Sequence, residues 1–486
     1  MEIINSLANL FRKANFNSDK PSEFDELIEK GDIDRIKGMF TSRESQVSEA
    51  LREYDPNFHD IMRRQNKIVK NKDGERIGEV KRWKLPVNYP QYINEVAVTF
   101  LYGQPVKWSC QSEGTDEAFS DFQNLIKSTR FDSKIRQCKR LAGAETQSAM
   151  LFHVFRNKKN KPNCLIRVLA RSKGDEIYTR WDLYENLVSV AWGYYTKDTS
   201  AETTYHFDIF TADTIFRCER GSKGWAVTKE ANRIGKIPII LFEQQKEWAG
   251  VERLIEREEY IGSRTADTND YFSDPYLVLN SDIVRNLPDK AEEAKVLKCK
   301  GNDSPSQAAA FLTWDNAPAS KQHELEWLQK HILSKTFTPN IDFEQMKGLS
   351  NVSGKALKQM MLLADIKASR HKETHDELLD RTAKLMTAII ANVLNVALKP
   401  QCDQMKIAHT FQEPFGEDIS AQIDNLVKAK DAELISTEGA LELNPLVKDK
   451  GIELKRIEKE AAEAEERKRD LFGANQTQDD IFGGAK

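Results

Sequence analysis

Cysteine is scarce and scattered in this chain of 486 residues. Cys110, Cys138, Cys164, Cys218, Cys299 and Cys402 form no Cys-x-x-Cys pair. That spacing argues against a zinc knuckle or a disulfide framework, and for reduced thiols and folding in the cytosol. Long apolar runs are also missing, and no stretch approaches the ~20 residues that cross a bilayer. Residues 1–11 lack the charged start and apolar run of a secretory signal, so a soluble intracellular product without membrane partners is expected. Nor is there an excess of basic charge: 72 Lys and Arg face 76 Asp and Glu, for a net charge of −4. No global field attracts nucleic acid, so any such contact has to be local or transient.

Catalytic patterns are lacking too. No Gly-x-Ser-x-Gly elbow occurs. Residues 348–356, Gly-Leu-Ser-Asn-Val-Ser-Gly-Lys-Ala, come near the phosphate-cradling pattern Gly-x-x-x-x-Gly-Lys-Ser/Thr. They carry one residue too many between the glycines, Ala356 replaces the magnesium-holding hydroxyl, and no buried strand precedes them. A flexible loop capping a helix is the better reading. His371 and His375 share a helix face at i, i+4, but Lys372 stands where a zinc protease has Glu, and no third ligand is evident. A solvated helix face suits both histidines. Glu256, Glu258 and Glu259 have no evident buried setting that would raise a pKa. No metal, cofactor or catalytic residue is expected, so the chain is read as not an enzyme.

What the sequence does contain is a long helix. Residues 340–398 open with a Gly/Ser-rich loop in which Ser350, Asn351 and Ser353 can cap, then run without proline to Pro400. Apolar residues repeat at helical spacing at both ends of this run, around a polar middle at 365–376. That pattern suits a strut crossing between two packed regions. Pro400 is expected to stop it.

The rest of the chain is organised around that strut. Residues 1–64 read as loosely joined helices, with an amphipathic one at 42–54, and 65–83 read as a hairpin turning at Asp73-Gly74. After the break at Pro86 and Pro90, helices are predicted at 91–101, 115–128 and 133–147, with a short strand at 103–109. Aromatic and β-branched residues predict strands at 150–155, 164–169, 188–195, 205–210 and 237–242. Helices at 251–274 and 321–333 bracket a small module with strands at 276–279 and 294–299, a stalk–tip–stalk order. A strand at 405–411 returns, followed by helices at 419–432, from Ser436 to Asn444, and at 452–470. The polar tail reads as disordered. The fold class is α+β.

In this order the parts resemble the portal, or head-to-tail connector, proteins of tailed double-stranded-DNA bacteriophages, specifically the long-tailed-phage type. Residues 85–106 resemble the family's "N…I…A…fl.G.Pv" segment, and 141–151 its small-residue helix. Gly235-Lys-Ile-Pro-Ile-Ile-Leu-Phe242 and the helix ending at Asp274-Pro275 resemble its "iPvv.F" strand and first stem helix. Ser353-Gly-Lys-Ala-Leu357 matches the "SG.AL" that opens its long helix. Ile435-Ser-Thr-Glu438, Asn444-Pro445 and Glu453-Leu454 resemble its crown, although Gly439 stands where the family usually has Thr.

The resemblance implies an elongated subunit. Its expected parts are an N-terminal arm (1–42), a helix-plus-antiparallel-β wing (43–248), a stem helix (249–275), a small α/β clip (276–320) and a second stem helix (321–338). A tunnel loop (339–352), a long helix with its wing return strand (353–417), a helical crown (418–470) and the tail (471–486) follow. It further implies a homo-oligomeric ring, usually of twelve, at one capsid vertex of the virion, assembled in the host cytoplasm. The expected partners are double-stranded DNA passing through, the terminase large subunit, head–tail adaptors, and major capsid and scaffolding proteins. The channel residues would be Lys335, Lys347, Gly348, Ser350, Ser353 and Lys355, and the clip's partner surface Lys290, Lys295, Lys298 and Lys300. A mildly acidic chain with a few lysines suits a channel through which DNA must slide. The alternatives are another non-enzymatic capsid-vertex or scaffold protein and, less favoured, a packaging P-loop NTPase.

Overall fold

In the computed structural model, the residues described are 23–463, apart from 72, 198–202, 223, 273–275, 281–295, 300–308, 313–317, 341–360, 413–418, 445, 448–450 and 452. The chain forms two compact units. One comprises Met1–Met346 and Met360–Pro414, the other Lys347–Gln359 and Phe415–Lys486.

The first unit begins with helices α1 (Glu23–Lys30) and α2 (Ile33–Gly38), the short strand β1 (Thr41–Ser42) and α3 (Glu44–Tyr54). The expected hairpin follows as β2 (Lys67–Lys70) and β3 (Arg76–Val80). After Pro86 come α4 (Tyr89–Tyr102), β4 (Lys107–Cys110), α5 (Asp116–Thr129) and α6 (Phe131–Glu145). Eight strands are next: β5 (Gln147–Arg156), β6 (Pro162–Leu169), β7 (Glu176–Trp181), β8 (Leu187–Lys197), β9 (Thr203–Phe210), β10 (Thr214–Gly221), β11 (Gly224–Ala231) and β12 (Ile239–Glu243).

Two antiparallel sheets result, ordered β1-β7-β8-β9-β10-β11 and β12-β5-β6. Alternation along a strand sends neighbouring side chains to opposite faces. Ala191 thus joins the core formed with Phe24, Ile33 and Ile36 of the N-terminal helices, whereas Val190 and Trp192 face the core shared with Leu151, Ile239 and Leu241 of the smaller sheet. The sequence reading missed β1, β7, β10 and β11, and β15 (Ala309–Leu312) further on. In β10 and β11 exposed stretches, such as Lys229 and Glu230, dilute the alternation that marks a half-buried strand, whereas β7 has no exposed residue and its omission has no such cause.

A two-helix extension follows. Helices α7 (Glu252–Phe272) and α8 (Pro318–Lys335) pack side by side, with Arg257 bonded to Glu324 at 2.9 Å. Between them in sequence lies a three-stranded sheet, β14 (Val296–Cys299), β13 (Tyr276–Asn280) and β15 (Ala309–Leu312), with β13 parallel to β14 and antiparallel to β15.

Helix α9 (Leu362–Ile389) has 28 residues, about 42 Å at 1.5 Å per residue. It passes into a π turn over Ile390–Leu394 and a 3-10 turn over Val396–Leu398. Pro400 does not end it, contrary to expectation. It sits in the first turn of the next short helix, α10 (Lys399–Gln404), where its missing N–H costs nothing. Strand β16 (Ile407–Thr410) then pairs with β4.

The polar middle of α9 is not a solvated strut either. Ala364, Ala368, His375, Leu379, Thr382 and Met386 form one buried stripe packed against α4, β12 and β16. In the second unit, α11 (Ile419–Asp431) contacts α12 (Thr437–Leu443), whose N-cap Ser436 accepts from the Gly439 N–H at 3.0 Å.

Candidate functional site

The expected channel loop, with Lys347, Gly348, Ser350, Ser353 and Lys355, lies outside the described residues, as do Lys290, Lys295 and Lys300. Lys298 is on β14, where the backbone alone is described. Lys335 is described and exposed, in the last turn of α8. The chain leading into the loop is anchored just past it. The Thr336 hydroxyl donates to the Ile332 carbonyl at 2.8 Å, and the Thr338 N–H donates to Leu333 at 2.9 Å. Phe337 adopts a φ of 52° and lies 5.7 Å from the Arg370 guanidinium of α9. The Tyr92 hydroxyl of α4 donates to the Pro339 carbonyl at 2.8 Å. Beyond the loop, Met361 is buried at the start of α9.

Helix α9 is joined to the sheet region through a buried charge cluster. Glu247, in the loop after β12, accepts from Lys139 of α6 at 2.6 Å and from Lys367 of α9 at 2.9 Å. The His371 Nε2–H bonds the same carboxylate at 3.1 Å, and Lys139 also donates to Gln244 at 2.6 Å. Lys139 is wholly inaccessible to solvent. Burial would raise the Glu247 carboxyl, yet Lys139, Lys367 and His371 hold it well below the usual carboxylate range. Burial lowers Lys139, against the pull of Glu247.

One helical turn further on, His375 Nδ1 shares a hydrogen bond with the buried Tyr102 hydroxyl at 2.8 Å. Burial, with Lys139 and His371 nearby, drives the His375 pKa well below its ordinary value, and burial lowers His371 as well. The expectation of two solvated histidines is therefore corrected. The signal was in the sequence: spacings of three and four link 364, 368, 371, 375, 379, 382 and 386 into one stripe, through both histidines. Glu247 and Lys139 had no such signal, because they meet α9 across more than 100 residues of chain.

The carboxylates of α7 are corrected too. Glu259 is buried, 2% exposed, and bonded to His59 Nδ1 at 2.5 Å. Burial alone would lower the His59 pKa, but Glu259 and the Glu53 carbonyl raise it overall. Burial raises Glu258, which accepts from the Tyr89 hydroxyl at 3.0 Å, and burial also raises Glu256.

The segment before α4 lies along α7 as a strap. The N–H groups of Trp83, Leu85 and Val87 donate to Asp267, Ser263 and Glu259 at 2.8, 3.0 and 2.9 Å. Two extended residues advance ~6.6 Å and four helical residues ~6 Å, so alternate amides meet every fourth side chain. Pro86, which has no N–H, falls between two donors.

Nothing in these clusters resembles a reaction centre. Burial pushes the Cys138, Cys164 and Cys218 thiols up to about 12, far from thiolate at neutral pH. Among the described residues, no group of three His, Cys, Asp or Glu side chains is placed to hold a metal ion.

Fold and site together define an α+β protein with a two-helix extension, in which buried charges serve as joints between elements. Comparison with family models narrows that class. Residues 33–467 match the family described as "Phage portal protein, SPP1 Gp6-like". That is about nine-tenths of the chain, and the protein belongs to this phage portal family. Among solved structures, one similar chain comes from the "Neck of native GTA particle computed with C12 symmetry". It has 9% identity and a TM-score of 0.39, covering 74% of this chain and 90% of that one. Comparison with curated proteins finds no match.

Proposed function

We propose that this chain is the subunit of a ring, twelve copies being expected, that forms the channel for double-stranded DNA at one capsid vertex. In this reading the ring passes DNA during packaging, retains it, and releases it at ejection. It seats the terminase large subunit during packaging and the head–tail adaptors afterwards, and it contacts major capsid and scaffolding proteins on assembly. The subunit has no catalytic role of its own. The observation that carries the reading is the family match across residues 33–467.

The two-helix extension supports it further. Helices α7 and α8 would form the stem, the sheet β13–β15 the clip, the β sheets and helices before them the wing, and residues 418–470 the crown. Lys335 and the loop residues Lys347, Gly348, Ser350, Ser353 and Lys355 would line the channel. Lys290, Lys295, Lys298 and Lys300 would face partners at the clip.

The test is the mass of the purified full-length protein by native mass spectrometry, with negative-stain images. Rings of about a dozen copies with a central hole are expected. A protein that stays monomeric with scaffolding protein present and hydrolyses ATP would overturn the reading.

A further inference from the structure

The β2–β3 hairpin stands out from its unit almost uncovered. Every residue from Asp73 to Val80 is exposed, and Ile77 is 64% exposed. Ile68, Val80 and Trp83 are exposed as well. The hydrogen bonds along it are largely its own: Asn66 to Glu79 at 2.6 Å, Asn71 to Glu75 at 3.0 Å, and the Arg82 N–H to Asn66 at 3.2 Å. A two-stranded ribbon without a packed face is at best marginally stable in water. Its aliphatic side chains therefore call for a covering surface.

Charge identifies that surface. Over residues 66–84, six described basic side chains face three acidic ones. Elsewhere in the same unit, residues 23–38 of α1 and α2 carry six exposed carboxylates against three basic residues, Lys30, Arg35 and Lys37. Beside them lies an aromatic ledge. The Trp225 indole donates to Asp34 at 3.3 Å, Tyr205 lies between Trp225 and Tyr195, and Tyr195 is exposed. The hairpin is thus aliphatic and basic, the helix face aromatic and acidic.

We propose that the hairpin of one copy docks on the α1–α2 face of a second copy of this chain. Two different patches then meet head to tail, the type of contact that repeats around a closed ring. The Lys67, Lys70 and Arg76 side chains lie against Glu26, Glu29 and Asp32 of the neighbour, and Ile77 and Val80 cover the Tyr195–Trp225 ledge. The inference rests on the ring reading above.

Charge reversal on each face of the full chain tests it. Lys67→Glu with Lys70→Glu, and separately Glu26→Lys with Glu29→Lys, are each expected to raise the concentration for half-assembly about tenfold or more at low salt. Combining all four substitutions restores assembly toward the wild type. Circular dichroism of each variant checks that the fold is kept, since all four side chains are exposed.

If both single-face variants form rings as readily as the wild type, the contact is wrong and the ring reading stands. If both fail and the combination also fails, the two faces do not meet each other. A wild-type chain that forms no ring overturns both readings.

Discussion

Glu247 accepts from two lysines and a histidine inside the protein, so the cluster is asymmetric to mutation. Glu247→Gln leaves two buried ammonium groups without a counter-charge and is expected to cost about 3–5 kcal/mol. Lys139→Met leaves Glu247 still paired with Lys367 and His371, so it should cost clearly less. Urea unfolding of the two variants checks the order, and a loss in Lys139→Met as large as that in Glu247→Gln would mean that Glu247 is not the hub. Close packing fixes the site from another side. A Cβ at Gly143 would lie 2.0 Å from the Asn94 side-chain oxygen and 3.0 Å from Glu247 Cγ, so α4, α6 and the Glu247 loop meet where only glycine fits.

At the scale of elements, the strap over residues 83–87 fixes α7 to the body of its unit. Its three acceptors are unequal. Glu259 is buried and bonded to His59, Ser263 is buried and neutral, and Asp267 is also paired with Arg64 at 2.6 Å. Glu259→Ala is expected to cost about 3–5 kcal/mol by removing the counter-charge of the buried His59, which keeps only the Glu53 carbonyl. Ser263→Ala should cost about 1–3 kcal/mol, through the orphaned Leu85 amide. Denaturant unfolding measures both, and a loss below about 0.5 kcal/mol in each would show that the strap does not hold the helix.

At the scale of the whole molecule, the two joints give stability opposite slopes with pH. The His59 pKa is raised, so its contribution is fully present below the unfolded value of about 6.5 and is lost as pH rises through the folded value. His371 and His375 are lowered, so below about 6.5 the unfolded chain takes up protons that the folded one refuses, and stability falls with acid. Glu247, also lowered, adds to that acid loss further down, as pH falls below its unfolded value toward its folded one. In thermal unfolding, the summed contribution of these four groups should therefore peak close to pH 6.5–7, whereas the raised carboxyls of Glu145, Asp208 and Glu243 add stability as pH falls. His375→Phe should flatten the acid limb, although the orphaned Tyr102 hydroxyl lowers stability throughout. An unchanged acid limb in that variant would exclude His375 as a source of the slope.

Much of this architecture was legible in the chain. Local patterns are self-contained, which is why the 65–83 hairpin, helices α3 to α8 and strands β5, β6, β8, β9 and β12 stand close to where spacing and turn residues put them. The order of weak motifs between residues 85 and 454 was enough to suggest the family that the model match over 33–467 supports. Other features were settled only by tertiary structure. His371 and His375 look solvated beside Lys372 and Glu373, yet α9 turns their face toward α4 and β12. Glu259 looks like one more surface carboxylate until the strap and His59 close over it. Burial is a property of what lies opposite a side chain. In both clusters the opposite side comes from residues more than 100 positions away, so the helical spacing over 364–386 could mark a buried face, but no local pattern could name the partners that cover it.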